Sequence, residues 1–214
     1  HEMAQPLSAI LYYARGCVAR LNAGACGIPE VCETLQKIAI QAERAGAFIH
    51  RLKLFIRVAE TQCVPTDIDT IVRNTVALSA PDARVNRVAI RLELSESLPL
   101  VIMDQIQIEQ VLLNLIRNGI DAMSSTPNDA RELVIRTAAG PGAHISVAVE
   151  DSGPGVPPGL EQRIFDPFFT TKPDGSGLGL QISRSIVEAH EGKLWLEAGS
   201  QRGARFVFSL PVAR

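Results

Sequence analysis

Two asparagines four residues apart, Asn114 and Asn118, have a chemistry to offer in this 214-residue sequence. They stand in Glu109-Gln110-Val111-Leu112-Leu113-Asn114-Leu115-Ile116-Arg117-Asn118-Gly119-Ile120-Asp121. The apolar stripe of that run predicts a helix, and the i, i+4 spacing puts both amides on one of its faces. A neutral amide oxygen can coordinate a hard cation such as Mg²⁺ while phosphate oxygens supply the negative charge; a merely solvated face is the plainer alternative. Further on, Glu150-Asp151-Ser152-Gly153-Pro154-Gly155 follows a predicted strand directly. A carboxylate at a strand end can accept a hydrogen bond from an exocyclic amino group such as that of adenine. Gly153 and Gly155 let the backbone turn sharply and approach a ligand closely, although an ordinary strand-ending turn would read the same way.

A third segment, Gly175-Ser176-Gly177-Leu178-Gly179-Leu180, opens a predicted helix. Glycines before a helix N-terminus leave backbone N–H groups free to cradle phosphate. The run Ile164–Gly175 before it mixes aromatics, hydroxyls (Thr170, Thr171) and a cation (Lys172), as a lid over a phosphate site would. The glycine run lacks the Gly-Lys-Ser/Thr ending of a Walker loop and lies too late in the chain for a Rossmann turn.

Two kinds of element must position these groups. From Met3 to Leu21 the apolar residues step by three and four, the stretch Asn22–Gly27 breaks the pattern, and Pro29 suits the first turn of a second helix. That second stripe runs Val31, Leu35, Ile38, Ala42, Ala45, Ile49, Leu52, Ile56 as a heptad seam. An antiparallel hairpin that pairs with a second copy as a four-helix bundle would bury both seams. Pro65 ends the pattern, and the rhythm becomes mixed. Helices are expected at 67–79, from Asp104 to Met123 and at 178–190. Strands are expected at 88–94, 100–103, 133–137, 145–149, 193–197 and 205–210. The fold class is therefore α+β in two domains: a helical hairpin over 1–60, a linker over 61–66, and a mixed-sheet α/β sandwich over 67–214.

Composition agrees with a globular chain: 46% apolar, 21% charged, net charge −2. Without a basic excess, nucleic-acid binding loses its usual driving force. Cys17, Cys26, Cys32 and Cys63 form no CxxC pair, so reduced thiols in a cytoplasmic protein are the simpler reading than a disulfide framework or zinc site. No apolar run approaches bilayer length, so no membrane contact is expected of this stretch. Because the chain opens in what reads as mid-helix, it is expected to be the C-terminal part of something longer.

The asparagine helix, the Asp-x-Gly-x-Gly turn 33 positions after Asn118, the lid and the glycine run occur in one order. That order resembles the nucleotide-binding fold shared by gyrase, Hsp90, MutL and histidine kinases. With His1-Glu2-Met3-Ala4-Gln5-Pro6-Leu7 at the start, the whole chain resembles a sensor histidine kinase of a two-component system, of the subgroup carrying HExxQPL and PFFTTK signatures. The resemblance implies a homodimeric four-helix bundle bearing the phospho-acceptor histidine, an ATP-binding domain, Mg²⁺, and a response-regulator receiver domain as partner.

Residue by residue, it implies that His1 is the phospho-acceptor, with Glu2 bonding the other ring nitrogen. Imidazole suits that task because much of it is neutral and nucleophilic near neutral pH. Asn118 would bind Mg²⁺ with Asn114 alongside, Asp151 would read adenine, and Gly153 and Gly155 would shape its pocket. Gly175, Gly177, Leu178, Gly179 and Leu180 would present the phosphate-binding backbone, with Thr170, Thr171 and Lys172 on the lid. His50, His144 and His190 lack such a setting and are read as surface or packing residues. Three departures matter. Position 114 holds an amide where ATP-hydrolysing relatives carry Glu, which disfavours fast hydrolysis. Asp121 stands where some relatives place Lys. Gln5 replaces the usual Thr or Asn, and since Gln can also orient water, a response-regulator phosphatase activity stays open. A non-catalytic phosphorelay scaffold and a clamp-type ATPase are the competing readings.

Overall fold

In the computed structural model the described residues are 4–23, 27–39, 41–42, 62–172, 177–197 and 203–213. The chain divides into two compact units, His1–Glu60 and Thr61–Arg214. Among the described residues no helix is long and apolar enough to cross a membrane.

The first unit holds α1, Ala4–Asn22, and a second helix, α2, with residues 28–39 and 41–42 helical. Glu30 starts α2 by accepting the Gly27 N–H at 2.6 Å, half of a capping box, and Lys37 pairs with Glu33 one turn on. Ile10, Ala14 and Cys17 on α1 are half-buried, as are Val31 and Ile38 on α2. A second apolar set, including Leu11, Val18, Leu21 and Leu35, is exposed. The later seam positions, Ala45, Ile49, Leu52 and Ile56, lie outside the described residues, as do His1 and Glu2.

The second unit begins with a short pairing. β1 (Val64–Thr66) lies antiparallel to β3 (Val101–Met103). The expected linker 61–66 therefore contains a strand, which Pro65 tolerates because the pair is only two strands wide. α3 (Ile68–Val85) starts at the Asp67 cap and runs beyond the expected end, straight through Pro81. β2 is Ala89–Glu93, and α4 is Gln105–Ala122, capped by Asp104, whose Oδ1 accepts from the Ile106 and Gln107 N–H groups. β4 (Glu132–Gly140), β5 (His144–Asp151), β6 (Lys193–Glu197) and β7 (Arg205–Pro211) complete the described sheet around α5 (Gly179–Ala189).

The sheet order is β2-β4-β5-β7-β6, with β2 parallel to β4 and the other pairs antiparallel. Alternation sorts its faces. Leu133, Ile135, Ile145, Val147, Phe206, Phe208 and Leu210 are buried on one face, together with Val111, Leu112, Leu115 and Ile116 of α4. Burying each large side chain is worth roughly 1.5–3 kcal/mol, so this layer fixes where α4 lies. The other face carries an ion ladder in which Arg91 and Arg136 bridge Glu93, Glu132 and Glu150.

Candidate functional site

Asp151 ends β5 on the helix-covered face and is 5% exposed. Its Oδ1 accepts the Gly153 N–H at 2.8 Å and the Ala204 N–H at 3.3 Å. Burial is the largest influence on this carboxyl and pushes its pKa above the ordinary aspartate range, with the two N–H bonds and the Lys172 charge pulling partly back. Both bonds fall on one oxygen, which leaves Oδ2 for a donor brought by a ligand.

Close backbone approach builds the pocket around that carboxylate. Gly203 has φ +76°, and a Cβ there would overlap the Asp151 carbonyl, so only glycine fits. Gly155 sits against the Gly203 carbonyl, and a Cβ on Gly153 would lie 2.9 Å from Asp151 Oδ1. Gly153 is therefore required for space; unlike Gly155, it is not among the positive-φ glycines. Gly119 does the same from α4, where a Cβ would stand 2.5 Å from Leu133 Cδ1 and 3.4 Å from Asp151 Cβ. Neither Gly119 nor Gly203 was expected. A glycine in the middle of an otherwise strong helix was the available signal for Gly119.

The two asparagines part company. Asn114 is half-buried and its Nδ2 donates to Ser183 Oγ of α5 at 2.9 Å, while its Oδ1 faces Gly179, where a Cβ would overlap it. Asn118, one turn on and half-buried, makes no side-chain hydrogen bond among the described residues. One amide locks α4 to α5 and the other is free for a ligand. Ser183 is a hydrogen-bond partner of Asn114 that spacing alone did not reveal.

At its start α5 has neither a side-chain cap nor an acidic residue in its first turn, in contrast to α3 and α4 with their aspartates. The N–H groups of Gly179 and Leu180 and the positive end of the helix dipole are thus available to an anion. Leu178 precedes the helix and Leu180 is half-buried in its first turn. Gly177, at φ +64°, presses against the Phe168–Phe169 backbone, tying the lid's root to the helix start. Phe165 is buried against Phe206, and Arg163 stacks over Phe169 with 4.7 Å from its guanidinium carbon to the ring centre. Thr170 is turned to its own backbone, accepting the Lys172 N–H, and Thr171 is exposed. Lys172 pairs with Asp121 at 2.9 Å. Gly175 lies outside the described residues, and Gln5 falls on α1 with its side chain undescribed.

Of the other histidines, His190 is buried, with Nδ1 donating to the Ile186 carbonyl and Nε2 accepting the Asp104 N–H. It joins the end of α5 to the start of α4, a packing role as expected. His144 opens β5 with Nδ1 at 2.8 Å from the Gly142 carbonyl in the preceding turn, and His50 lies outside the described residues. A separate hollow of about 510 Å³ opens on the outer face of the sheet beside Arg91, Arg131 and Arg136. Glutamates and backbone carbonyls take those guanidiniums, so it offers no free cation to a ligand.

This geometry can hold a purine amino group at Asp151, a hard cation at Asn118 and an anion at the start of α5. Comparison with known proteins points the same way. The family described as histidine kinase-, DNA gyrase B-, and HSP90-like ATPase matches residues 103–214. The sensor protein FixL of Bradyrhizobium diazoefficiens is 40% identical over 215 residues, covering 100% of this chain and 42% of FixL. TdiS of Thauera aromatica is 37% identical, covering 99% of this chain and 39% of its own length. The chain thus spans about two fifths of these relatives. Full-length ShkA, solved with AMPPNP, superimposes with a TM-score of 0.75 at 27% identity, over 100% of this chain and 44% of ShkA. The histidine kinase ThkA, solved in complex with the response regulator TrrA, gives 0.74 at 28% identity, over 100% of this chain and 59% of that one. The chain belongs to the histidine kinase-, DNA gyrase B- and HSP90-like ATPase family, in its sensor histidine kinase branch.

Proposed function

We propose that this chain is the transmitter part of an ATP-dependent protein-histidine kinase, which phosphorylates His1 and passes the phosphoryl group to an aspartate of a response-regulator receiver domain. The observation that carries the reading is the convergence of a buried, half-satisfied carboxylate (Asp151), a free amide (Asn118) and an uncapped helix start (α5) within one unit. The likenesses to ShkA with AMPPNP and to ThkA with its regulator support it. In this reading residues 1–60 dimerise and carry the acceptor, and 67–214 bind ATP.

Asp151 Oδ2 accepts from the adenine amino group, and the N–H groups of Gly179 and Leu180 hold the phosphates with Lys172. The Asn118 amide oxygen contributes one ligand to Mg²⁺, which when bound neutralises phosphate charge. The neutral His1 imidazole attacks the γ-phosphorus, the bond from that phosphorus to the β,γ-bridging oxygen breaks, and ADP leaves. Glu2 holds the proton on the other ring nitrogen and offsets the positive charge that develops. Asn114 is no base, and its amide is occupied by Ser183, so water is poorly activated and transfer to imidazole is favoured over hydrolysis.

Incubation with γ-labelled ATP and Mg²⁺ tests this. Acid-labile, base-stable label on the protein is expected; free phosphate with no phosphoprotein would instead indicate a clamp-type ATPase. Asn118→Ala is expected to weaken ATP binding about tenfold in the presence of Mg²⁺ and to leave adenosine binding unchanged, as titration calorimetry would show.

Dimerisation is part of the proposal. Leu11, Val18, Leu21 and Leu35 are 47–57% exposed on the hairpin, an apolar surface that a second copy would cover in a four-helix bundle. Leu35→Glu is expected to convert a dimer into a monomer with unchanged helix content. Light scattering at micromolar concentration checks it, and a wild-type monomer there would remove the bundle from the reading.

A further inference from the structure

Asp121 lies three residues after Asn118, near the end of α4, and its Oδ2 is 2.9 Å from Lys172 Nζ. The two side chains are 50% and 40% exposed, so this is a solvated, exchangeable pair rather than a structural one. It stands beside the pocket: the next residue, Ala122, places its carbonyl 3.2 Å from where a Gly153 Cβ would be. Asp151 also feels the Lys172 charge, which draws its carboxyl partly back toward the ordinary range. The cation that the ATP-site reading assigns to the phosphates is thus already held by a carboxylate of the adjoining helix.

We propose that Asp121 is a positioning residue that holds Lys172 in the nucleotide-free protein and releases it to the phosphate chain of ATP, setting how strongly the site prefers ATP over adenosine. The inference rests on the ATP-site reading above. One ammonium serves two competing anions. A triphosphate outcompetes a single carboxylate because it carries more charge and several acceptor oxygens. ATP affinity is nevertheless lowered by whatever the Asp121–Lys172 pair contributes. Adenosine has no phosphate to offer Lys172, so its affinity does not depend on the exchange.

Calorimetric titration of ATP and adenosine into the wild-type chain, Asp121→Asn, Lys172→Met and the double variant tests this; both positions are exposed and the variants should fold. Asp121→Asn is expected to bind ATP about two- to fivefold more tightly, the range of a solvated ion pair, with adenosine unchanged. The gain should shrink toward none in the Lys172→Met background and at high salt, where the pair is screened. A gain of equal size in both backgrounds would mean that Asp121 acts by simple repulsion and would overturn the proposal. Weaker ATP binding by Asp121→Asn, parallel changes for ATP and adenosine, or no change at all would also overturn it. Failure of the wild-type chain to bind ATP is a different result, which removes the nucleotide-site reading itself.

Discussion

His1→Ala is expected to abolish labelling of the protein by γ-labelled ATP while leaving ATP affinity within about twofold of wild type. The first half follows from the chemistry of the acceptor. A phosphoramidate needs a neutral ring nitrogen with its lone pair exposed, and the buried His190 cannot supply one. His190 has both ring nitrogens engaged inside the fold. The second half follows from the division of the chain: His1 belongs to His1–Glu60, and every residue assigned to ATP lies in Thr61–Arg214. Phosphoprotein assays at alkaline quench, run beside calorimetry, separate the two effects. Undiminished label on the variant would remove His1 from the mechanism. Loss of both label and ATP binding would mean that His1 supports the fold rather than the transfer.

Legibility varied with how local each cause was. α4 could be read almost to the residue, because its cap, Asp104, and its apolar stripe are both written in consecutive positions. β6, Lys193–Glu197, was read at both ends for the same reason. α3 outran its expected end because a proline removes one N–H and crowds one turn, while Ile68, Ile71, Val72 and Ala83 remain buried along the same helix and outweigh that local penalty. β1 was invisible, since three residues containing a proline become a strand only through β3, more than thirty positions away. The site divides in the same manner. Asn118 and Asp151 announce themselves by type and neighbours. Ser183, Gly119 and Gly203 matter only because the fold brings Asn114, Leu133 and the Asp151 carbonyl against them. The Asp121–Lys172 pair joins positions 51 apart, which spacing cannot disclose.

Asp151→Asn is expected to weaken ATP binding about ten- to a hundredfold and, in the nucleotide-free protein, to raise thermal stability. The affinity loss is that of a hydrogen bond to a charged acceptor, roughly 1.5–3 kcal/mol, with an NH₂ group then facing the adenine amino group. The stability gain has the opposite origin. Burial raises the Asp151 pKa, so the folded protein holds the carboxyl proton more tightly than the unfolded chain does. That preference favours the fold below the ordinary value of 3.8 and is lost as the pH rises through the raised value. An asparagine keeps Oδ1 as acceptor for the Gly153 and Ala204 N–H groups and carries no charge to desolvate. The variant's advantage in Tm should therefore be smallest near pH 4 and widen toward pH 7, by about 2–4 °C for each kcal/mol recovered. Added ATP should raise the wild-type Tm by more than the variant's, because ligand stabilisation follows affinity. GTP, which presents a carbonyl where ATP presents the amino group, should bind the wild-type chain far more weakly than ATP. Equal affinity of the wild type for ATP and GTP, or a variant that binds ATP as well as the wild type, would take adenine recognition away from Asp151. In the proposed reading, the cost of burying this carboxylate is offset when adenine brings Oδ2 the donor that Gly153 and Ala204 give only to Oδ1.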